Sequence, residues 1–535
     1  MTTDKPKDSD MVYKEFNRKW KTISRIIFGD EVGELSDFKK WLIGKNRTAF
    51  EYNSSASDRK VRFILPYSDS TRVASLEEIN FNKKFEPLNI DEIKDIDELV
   101  EAVKERIIYA GNTYLGESKN LSESTDVVSS SYVYGSCQVS YSKWIAYCYN
   151  LEYCDNLFGC QNIGTGSSYS IRTIAADTMV RCLEVYSSTT CQDCYYSISM
   201  VNCKNCMFCF GLRNASYRIG NLQLTPEAYS KIKKKLLEEI IDLLKRKKSL
   251  PQLEDLFISL KPDLSMAKKI AKRSVTPEKY DKHIIENAFK TTTKIIFGKE
   301  IFGLDRYGPW LKEHIRNQKI CSSVLSGEKM IVPDYANCYN YPENRLVTQQ
   351  EILAIGESLA IVKEKIDDFS FKNAGESVNP IAFFNSTENS GVLRNNIESE
   401  INIASQNFYK STLNLQSKYG AYNFYVLESE HVFGCHSLRK STFSIRCYLS
   451  ANLTRCFEVD SSRSCSDCYF CHNCENVRES MFCFNAKNLT CAIGNVELPK
   501  EKYLEIKKII LEEISKTLER NGKLERSIFD LNRKG

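Results

Sequence analysis

The chain of 535 residues is 42% hydrophobic and 11% aromatic, which is typical of a globular protein large enough for several domains. Its 74 basic and 69 acidic residues give a formal net charge of +5, too mild to favour nucleic acid or an acidic membrane as a partner. No run of about 18 apolar residues offers a membrane span, and the polar first ten residues lack the apolar segment of a secretory signal. We therefore expect a cytoplasmic protein, or part of a particle assembled in the cytoplasm.

The sequence contains 21 cysteines. Because cytoplasmic thiols stay reduced, disulfides are the less favoured use, and an odd total argues weakly against complete pairing. Two uses remain open. The thiols can be buried and pack as small apolar groups, or they can bind a metal as thiolates.

The first predicted elements form a small α/β module over residues 11–116. An amphipathic helix is predicted from Met11 to about Phe28, because apolar residues recur there at spacings of three and four. A strand is predicted from Lys60 to Tyr67 by its β-branched content and the proline that ends it. A second helix is predicted from about Ile90 to Tyr109, with Asp91 as its N-cap.

The module recurs over residues 291–395. The sequence Lys294–Gly298 repeats the end of the first helix at an offset of 269. A strand from Lys329 to Tyr335 and a helix from Gln349 to Ile366, with Thr348 as N-cap, are predicted to follow. Each half of the chain therefore begins with an α/β module.

Residues 130–222 and 417–496 are repetitive and rich in Ser, Asn, Tyr and Cys. From Cys182 to Leu212 every cysteine falls in one register of three, and the same holds from Cys456 to Ala486. Strands repeat at about 2 residues and α-helices at about 3.6, so neither produces this period. The first window has a single glycine and no proline, which excludes collagen and polyproline II. The pattern predicts a coil with turns in multiples of three residues and small or apolar side chains stacked inward.

The two repetitive stretches are copies of each other. Adding 274 to each number from Arg181 to Leu224 gives its counterpart in Arg455 to Leu498, and 20 of these 44 pairs are identical. The chain is therefore predicted to be a tandem duplication.

These patterns predict an α+β fold in which each unit is an α/β module followed by a Cys-lined β-solenoid and a capping helix. A coiled stack of short strands buries its apolar face only against neighbouring turns, and its open end needs protection. Helices that begin at Thr225-Pro226 and at Leu498-Pro499, each with Pro at N1, are expected to cover those ends. They lie in residues 223–290, which also include a helical linker, and in residues 497–535.

A metal site is the alternative use of the cysteines. Four cysteines shared by both copies, including one Cys-x-x-Cys pair, could hold zinc tetrahedrally: Cys182, Cys191, Cys194 and Cys209, with Cys456, Cys465, Cys468 and Cys483 as counterparts. The spacing of Cys203, Cys206 and Cys209 also resembles iron–sulfur ligation. Against both, Cys203 and Cys206 become Val477 and Ser480 in the second copy, an exchange that suits inward packing. We favour packing without a cofactor.

Histidine is scarce, with five in the chain. His472 lies beside Cys471 and Cys474 and could join a metal site in the second copy. The first repetitive region has no histidine, so such a site would not be duplicated. We expect His472 to be an exposed polar residue at an outward position.

The run from Cys468 to Cys474, followed by Met481-Phe-Cys-Phe and Ala492-Ile-Gly-Asn, resembles a loose group of cysteine-rich repetitive, β-solenoid-like proteins. Such proteins are encoded in genomes of archaea and candidate-phylum bacteria, and no function is described for them. The resemblance covers the repetitive regions alone. It implies a repeat fold and a cytoplasmic origin, and it transfers no catalytic residue.

No catalytic triad, HExxH, Walker loop or dinucleotide-binding motif is present in the sequence. We therefore predict a non-enzymatic structural scaffold or assembly protein, a homo-oligomer or particle component. It would bind other proteins, or copies of itself, through solenoid faces rich in Tyr, Ser and Asn. Two alternatives remain: a zinc or iron–sulfur protein that binds nucleic acid through lysine-rich helices, and an enzyme with a site in the α/β modules.

Overall fold

The computed structural model describes residues 11–44, 49–89, 93–270, 280–335, 338–386 and 388–531. Helices and many strands in large parallel sheets make up this part of the chain, which confirms the mixed α+β class. None of its helices is long and apolar enough to cross a membrane.

Most predicted helices form, some with shorter bounds. The helices are α1 (Met11–Phe28), α2 (Lys39–Ile43), α3 (Ile96–Val103), α4 (Pro226–Lys247), α5 (Ala267–Ile270), α6 (Lys282–Phe297), α7 (Leu304–Leu311), α8 (Gln349–Ser358), α9 (Ala374–Val378) and α10 (Lys500–Asn521). Helix α1 has the predicted bounds, and Thr348 caps α8 by accepting from the Glu351 N–H. Helix α3 is shorter than predicted because Asp95 caps it; Asp91 lies outside the described residues. Pro226 is the first residue of α4, whereas Pro499 precedes α10 as its N-cap residue.

The first module contains four short strands. They are β1 (Phe50–Asn53), β2 (Lys60–Phe63), β3 (Val73–Ser75) and β4 (Tyr109–Gly111). Strands β1 and β2 form an antiparallel hairpin, and β3 pairs with β4 in parallel. The predicted strand at Lys60 is confirmed by β2.

We call the next part, Tyr114 to Gln223, the first parallel region. Its sixteen-stranded sheet consists of β5 (Tyr114–Leu115), β6 (Lys119–Ser122), β7 (Thr125–Val128), β8 (Ser131–Tyr134), β9 (Cys137–Ser140), β10 (Lys143–Ala146), β11 (Tyr149–Glu152), β12 (Asp155–Phe158), β13 (Gln161–Ile163), β14 (Ser168–Ile171), β15 (Ile174–Val180), β16 (Leu183–Tyr186), β17 (Thr189–Ile198), β18 (Lys204–Met207), β19 (Ser216–Ile219) and β20 (Leu222–Gln223). Most strands pair in parallel with the strand two places along, so Lys143 lies beside Asp155. One turn of the chain therefore takes twelve residues. An extra residue before Ser168 lengthens one turn, since Asp155 pairs with Ser168.

The second half repeats this arrangement. Its module contains the antiparallel strands β21 (Gln318–Ser322) and β22 (Lys329–Pro333). The second parallel region, a fourteen-stranded sheet from Glu400 to Glu497, follows with β23 (Glu400–Ile403), β24 (Gln406–Tyr409), β25 (Thr412–Leu415), β26 (Lys418–Ala421), β27 (Phe424–Leu427), β28 (Glu430–Phe433), β29 (His436–Arg439), β30 (Thr442–Ile445), β31 (Tyr448–Ala451), β32 (Thr454–Asp460), β33 (Ser466–His472), β34 (Arg478–Met481), β35 (Ala492–Ile493) and β36 (Val496–Glu497).

Left-handed backbone at every third residue explains the period of three. Asn150, Tyr153 and Asn156 have φ angles of 55°, 52° and 55°, and this conformation recurs through both parallel regions. Two extended residues followed by one left-handed residue make a corner, so a turn of twelve residues has four corners and four inward positions. Asn tolerates the left-handed conformation better than most residues, which accounts for its frequency at the corners.

The inward positions of each region form a buried interior column. In the first region it runs from Val127 to Ala215, and in the second from Phe408 to Ala492. Cys182, Cys194 and Cys206 lie in the first column and have no exposed surface. The predicted inward orientation of the period-three cysteines is confirmed.

A hairpin ends each parallel region. Strands β19 and β20 pair antiparallel, and the Asn221 amide bonds with the N–H and carbonyl of Phe210 at 2.9 and 3.0 Å. Asn495 does the same with Phe484 at 2.9 and 2.7 Å. The side-chain amide thus continues the backbone pairing where the coil stops.

Helices α4 and α10 do not cover the interior columns, which corrects the expected capping role. The buried residues of α4, such as Leu236 and Ile240, belong to an outer cluster shared with α1. Lys233 of α4 lies over the Tyr195 ring at 4.9 Å, and Lys507 of α10 lies over the Tyr469 ring at 5.0 Å. Both helices therefore pack along the outer face of their region.

Part of each module packs on the parallel region of the other half, an arrangement that we call an exchange of modules. Helix α1 stays on the first region and α6 on the second, where Tyr195 and Tyr469 donate to the carbonyls of Ile27 and Ile296, both at 3.0 Å. The described residues between 49 and 111, however, pack on the second region, and those between 318 and 384 pack on the first. The predicted sequence of a module followed by its own coil therefore does not describe the packing.

The exchanged modules contact equivalent glycines in the two parallel regions. The Gly220 carbonyl accepts from the Ile361 N–H at 2.9 Å, and the Gly494 carbonyl accepts from the Arg106 guanidinium at 2.6 Å. A Cβ at either glycine would lie 2.7 Å from Ile361 or 2.6 Å from Val103, and both glycines have a φ of 55°. Only glycine allows this close approach of the exchanged module.

Candidate functional site

The interior cysteines act as hydrogen-bond donors to the backbone. From Cys148 to Cys209 and from Cys435 to Cys483, each column Sγ lies 3.2–3.6 Å from the carbonyl oxygen two residues earlier. Interior serines do the same, as when Ser130 donates to the Val128 carbonyl at 2.7 Å. Burial raises the pKa of the Cys148 thiol, which keeps it protonated. Cys and Ser can therefore replace each other at these positions.

The predicted zinc ligands of the first copy belong to a larger set of neighbouring thiols. Cys194 is within hydrogen-bonding reach of Cys182, Cys191 and Cys206, and Cys206 also reaches Cys203 and Cys209. We call these residues the first six-thiol network. Cys203 and Cys206 are part of it although the second copy has Val477 and Ser480 there.

The second copy has a six-thiol network of different composition. Cys468 reaches Cys456, Cys465 and Cys471, and Cys471 also reaches Cys474 and Cys483. Across the described residues, no group of three or more His, Cys, Asp or Glu side chains is arranged to hold a metal ion. The thiols of Cys182, Cys191, Cys194, Cys209 and their counterparts thus come together within these two networks.

A buried ion pair is repeated in both halves. Arg172 pairs with Glu184 one turn later, and Arg446 pairs with Glu458. At most 1% of each side chain is exposed, so an unpaired charge at either site would be costly. The guanidinium also donates to the carbonyl of Trp41 in the first half and of Trp310 in the second. Each pair therefore fastens the end of a helix, α2 or α7, to the coil.

The second oxygen of each glutamate has a different partner in the two halves. Glu184 accepts from the Tyr186 hydroxyl, within the coil. Glu458 accepts from the Ile528 N–H at 2.9 Å, which holds the C-terminal segment against the second region. Sequence analysis missed both pairs because an arginine and a glutamate twelve residues apart look like ordinary surface residues.

His472 is fully buried, so the expected exposed position is wrong. Its Nδ1 lies 2.8 Å from Asp460, and its Nε2 accepts from the Ala110 N–H at 3.0 Å. Asp460 also accepts from the Tyr67 hydroxyl. Both ring nitrogens are occupied, and the cluster joins the first module to the second parallel region.

This cluster, the His472 lock, has no counterpart in the first half. Ile198 and Tyr186 occupy the positions equivalent to His472 and Asp460. The outward position predicted for His472 is correct relative to the coil, but the exchanged module covers it. The repeat pattern in the sequence cannot predict this burial, because the module that covers His472 comes from a distant part of the chain.

The two parallel regions begin with equivalent first turns that differ at one corner. Strands β5 and β6 form the first turn of the first region, and within the described residues no strand pairs with their outer side. The second region begins with an equivalent turn, because its bridges of Ser390 with Ile403, Arg394 with Gln406 and Ile397 with Tyr409 match the pairings of Leu115 with Val128, Lys119 with Ser131 and Ser122 with Tyr134 in the first. The Asn395 amide further bonds to the Asp281 backbone at 2.7 and 2.9 Å. Among the described residues both regions thus begin with a turn that has no strand on its outer side, and they differ at one corner, where Asn395 is buried and its counterpart Asn120 is exposed.

An open groove of about 560 Å³ lies at the start of the first region. We call it the start groove; the first module and the first turn line it with Arg59, Lys60, Arg62, Ser75, Glu77, Asn112, Tyr114, Ser118, Lys119, Asn120, Leu121, Ser122, Glu123 and Ser124. Leu121 is the partly exposed end of the interior column. Unpaired strand edges beside an accessible apolar end are features that favour binding of another chain.

Sequence analysis gave no sign of the start groove. The left-handed corners, in contrast, left a signal, because Asn recurs one place before the inward residues at Asn150, Asn156 and Asn162. Comparisons of the chain with protein-family models, with curated proteins and with solved structures found no match.

Proposed function

We propose that the protein is a non-enzymatic scaffold or assembly protein, built as a tandem duplication of two β-solenoids, and that it binds a partner protein at the start groove. The observation that carries the proposal is the pair of open strand edges, β5 and β6, at the start of the first region. Such edges present unpaired backbone donors and acceptors to another chain.

Repeated contacts support the duplication. Arg181 bonds with Asp193 at 2.9 and 2.7 Å, and Arg455 bonds with Asp467 at the same two distances. These pairs are related by the offset of 274 that relates the sequences. Two copies of one coil that keep the same turn-to-turn contacts are what a duplicated solenoid requires.

The potentially reactive side chains are engaged in bonds within the protein, which favours a scaffold over an enzyme. His472 has both ring nitrogens bonded, the Arg172 and Arg446 guanidiniums are paired, and the column thiols donate to carbonyls. A general base needs a free nitrogen or oxygen within reach of a substrate. These groups instead hold the modules, helices and turns together.

Because helices and modules cover outer faces of the parallel regions, we place partner binding at the start groove. Helices and exchanged modules bury aromatic residues of the outer faces, including Tyr186, Tyr195 and Tyr469. Binding through the flat faces would require these elements to move. The open edges at β5 and β6 are accessible without such a change.

Panning a phage-displayed random peptide library on the immobilised full chain tests the proposal. Leu121→Lys places a charge at the open end of the interior column, a change that blocks strand addition. Leu489→Lys is the matched control, because Leu489 is a partly buried column residue at the hairpin-closed end of the second region. Thermal unfolding followed by circular dichroism checks that both variants fold.

We expect enriched peptides that bind the wild type and the Leu489→Lys variant but not the Leu121→Lys variant. A library without enrichment would contradict the proposal. Peptides that bind all three proteins equally would place the binding surface elsewhere and would also contradict it.

A further inference from the structure

The start groove is more basic than the rest of the molecule. Four cations line it, Arg59, Lys60, Arg62 and Lys119, against the two carboxylates of Glu77 and Glu123. Over the whole chain the balance is 74 bases to 69 acids. The groove lining therefore has an excess of two positive charges, against five for the whole chain.

Existing ion pairs neutralise the two groove carboxylates. Glu77 pairs with Arg59 at 2.6 Å, and Glu123 pairs at 3.4 Å with Lys39, which lies outside the groove. Neither carboxylate is left to repel a negatively charged ligand.

The remaining groove cations are incompletely neutralised. Lys60 and Arg62 share one carboxylate, Glu51, at 3.5 and 3.1 Å. Lys119 forms no ion pair with any described residue and lies on strand β6, which pairs with β8 on one side and has no strand on its outer side among the described residues. The edge itself thus carries a cation that is available to a ligand.

The backbone at the start offers hydrogen bonds in a fixed register. Corner N–H groups donate to the preceding turn: Tyr147 to the Tyr134 carbonyl and Gly135 to the Ser122 carbonyl, both at 3.0 Å. Glu123 occupies the same corner position in the first turn, where no earlier turn exists among the described residues. Its N–H points to the side where an added strand would supply a carbonyl.

From this combination we infer that the partner segment is an extended acidic peptide that adds to β6 as an extra strand. Its backbone would pair with the open edge, and its carboxylates would lie near Lys119, Lys60 and Arg62. This inference rests on the proposed scaffold function and specifies the chemistry of the partner. Strand addition of this kind takes affinity from backbone hydrogen bonds and selectivity from side chains.

Fluorescence anisotropy with three labelled synthetic peptides tests the inference on the full chain. The first alternates glutamate with valine and threonine, the second has lysine in place of glutamate, and the third is the acidic peptide with alternate backbone nitrogens methylated. Methylation removes the N–H donors and keeps the charge. The three probes therefore separate strand pairing from charge attraction.

Lys119→Glu is the diagnostic variant, and Lys143→Glu is its matched control. Lys143 is exposed and stands in the same register two turns further on, where β10 is paired on both sides. We expect Lys119→Glu to weaken binding of the acidic peptide about fivefold, as for one interfacial charge, and Lys143→Glu to leave it unchanged.

Binding of the acidic peptide, with loss on N-methylation and on Lys119→Glu, supports the inference. Equal binding of the N-methylated peptide overturns strand addition. Equal binding of the lysine peptide, lost in Leu121→Lys, overturns the acidic chemistry and leaves the scaffold function intact. Failure of every peptide to bind overturns the inference, while the library panning decides the proposed function separately.

A second copy of the chain is the other occupant that the experiment detects. Light scattering during size-exclusion chromatography would then show a concentration-dependent dimer that Leu121→Lys abolishes. That result would overturn the inference, because the edge would be occupied by another copy. A monomer at all concentrations agrees with it.

Discussion

The two parallel regions share one twelve-residue turn and differ in what covers their first turn. Asn395 is buried and bonds to the Asp281 backbone at the start of the second region, whereas its counterpart Asn120 is exposed at the start of the first. The interior columns, hairpin ends and buried ion pairs are repeated. We infer that the repeated features stabilise the fold and that the unrepeated ones serve assembly.

The junctions with the exchanged modules also differ. The second region holds its module through the His472 lock, while Ile198 and Tyr186 stand at the equivalent positions of the first. A polar lock joins residues far apart in the chain and specifies one docking position. The first half achieves its junction with apolar and aromatic packing alone at these positions, as between Tyr186 and Tyr341.

The largest expected effect is the loss of a repeated ion pair. Arg446→Met leaves Glu458 buried without its cation and should lower the free energy of unfolding by about 3–5 kcal/mol. Arg172→Met should cost a similar amount, because Glu184 is equally buried. Urea unfolding followed by tryptophan fluorescence measures both.

The double variant Arg446→Met/Glu458→Leu is the control for this experiment. Removal of both charges should recover much of the lost stability, since no unpaired charge remains. A loss confined to one half would show that the two pairs are not equivalent.

Removal of the His472 lock should have an intermediate effect and should act on one half alone. His472→Ile places the first-half residue at this position, leaves the Ala110 N–H without its acceptor and reduces the bonds to Asp460 to those from hydroxyls such as that of Tyr67, a cost of about 1–3 kcal/mol. Hydrogen exchange of residues 49–111 should accelerate while that of residues 318–384 stays unchanged. Equal acceleration of both modules would contradict a lock specific to the second half.

A smaller, pH-dependent effect is expected at Glu400 in the second region. Burial raises the pKa of Glu400 from about 4.5 to about 7, although a hydrogen bond from Asn389 acts to lower it. Because the folded state holds this proton more tightly than the unfolded state, its contribution is complete below pH 4.5 and is lost as the pH rises through 7. We expect a loss on the order of 1 kcal/mol between pH 5 and 8, reduced by partial exposure.

Glu400→Gln should flatten this part of the stability profile, measured by urea unfolding at each pH. The variant should be more stable than the wild type at pH 8, because the glutamine carries no charge to desolvate. An unchanged slope would show that Glu400 is well solvated at the start of the second region.

The smallest effect is expected in the interior column. Cys203→Val introduces the residue found at the equivalent position, Val477, and should change the free energy of unfolding by less than about 1.5 kcal/mol. Thermal unfolding measures it, with elemental analysis of the wild type for zinc. A collapse of folding, or stoichiometric zinc that the variant loses, would contradict a packed thiol network.

The coil was predictable because its signal is local. An inward residue at every third place, a left-handed corner beside it and an offset of 274 can all be found by counting along the sequence. Helix α1 and the cap at Thr348 were likewise predictable from spacing and side-chain chemistry.

The features that govern assembly were not predictable, since they join distant segments. His472 meets Ala110 across most of the chain, and its burial depends on a module packed from the other half. The placement of α4 along the outer face also depends on α1, and its apolar stripe alone does not distinguish an outer face from an open end. The start groove is formed where two such segments meet.

Hydrogen–deuterium exchange of the full chain tests the central comparison most directly. We expect faster exchange of the amides in residues 114–123 than in the equivalent residues 389–398, because Asn395 holds the first turn of the second region to Asp281 while the first turn of the first region borders the start groove. Adding the acidic peptide should slow exchange in residues 114–123 alone. Equal exchange at the two starts, unaffected by the peptide, would contradict the account.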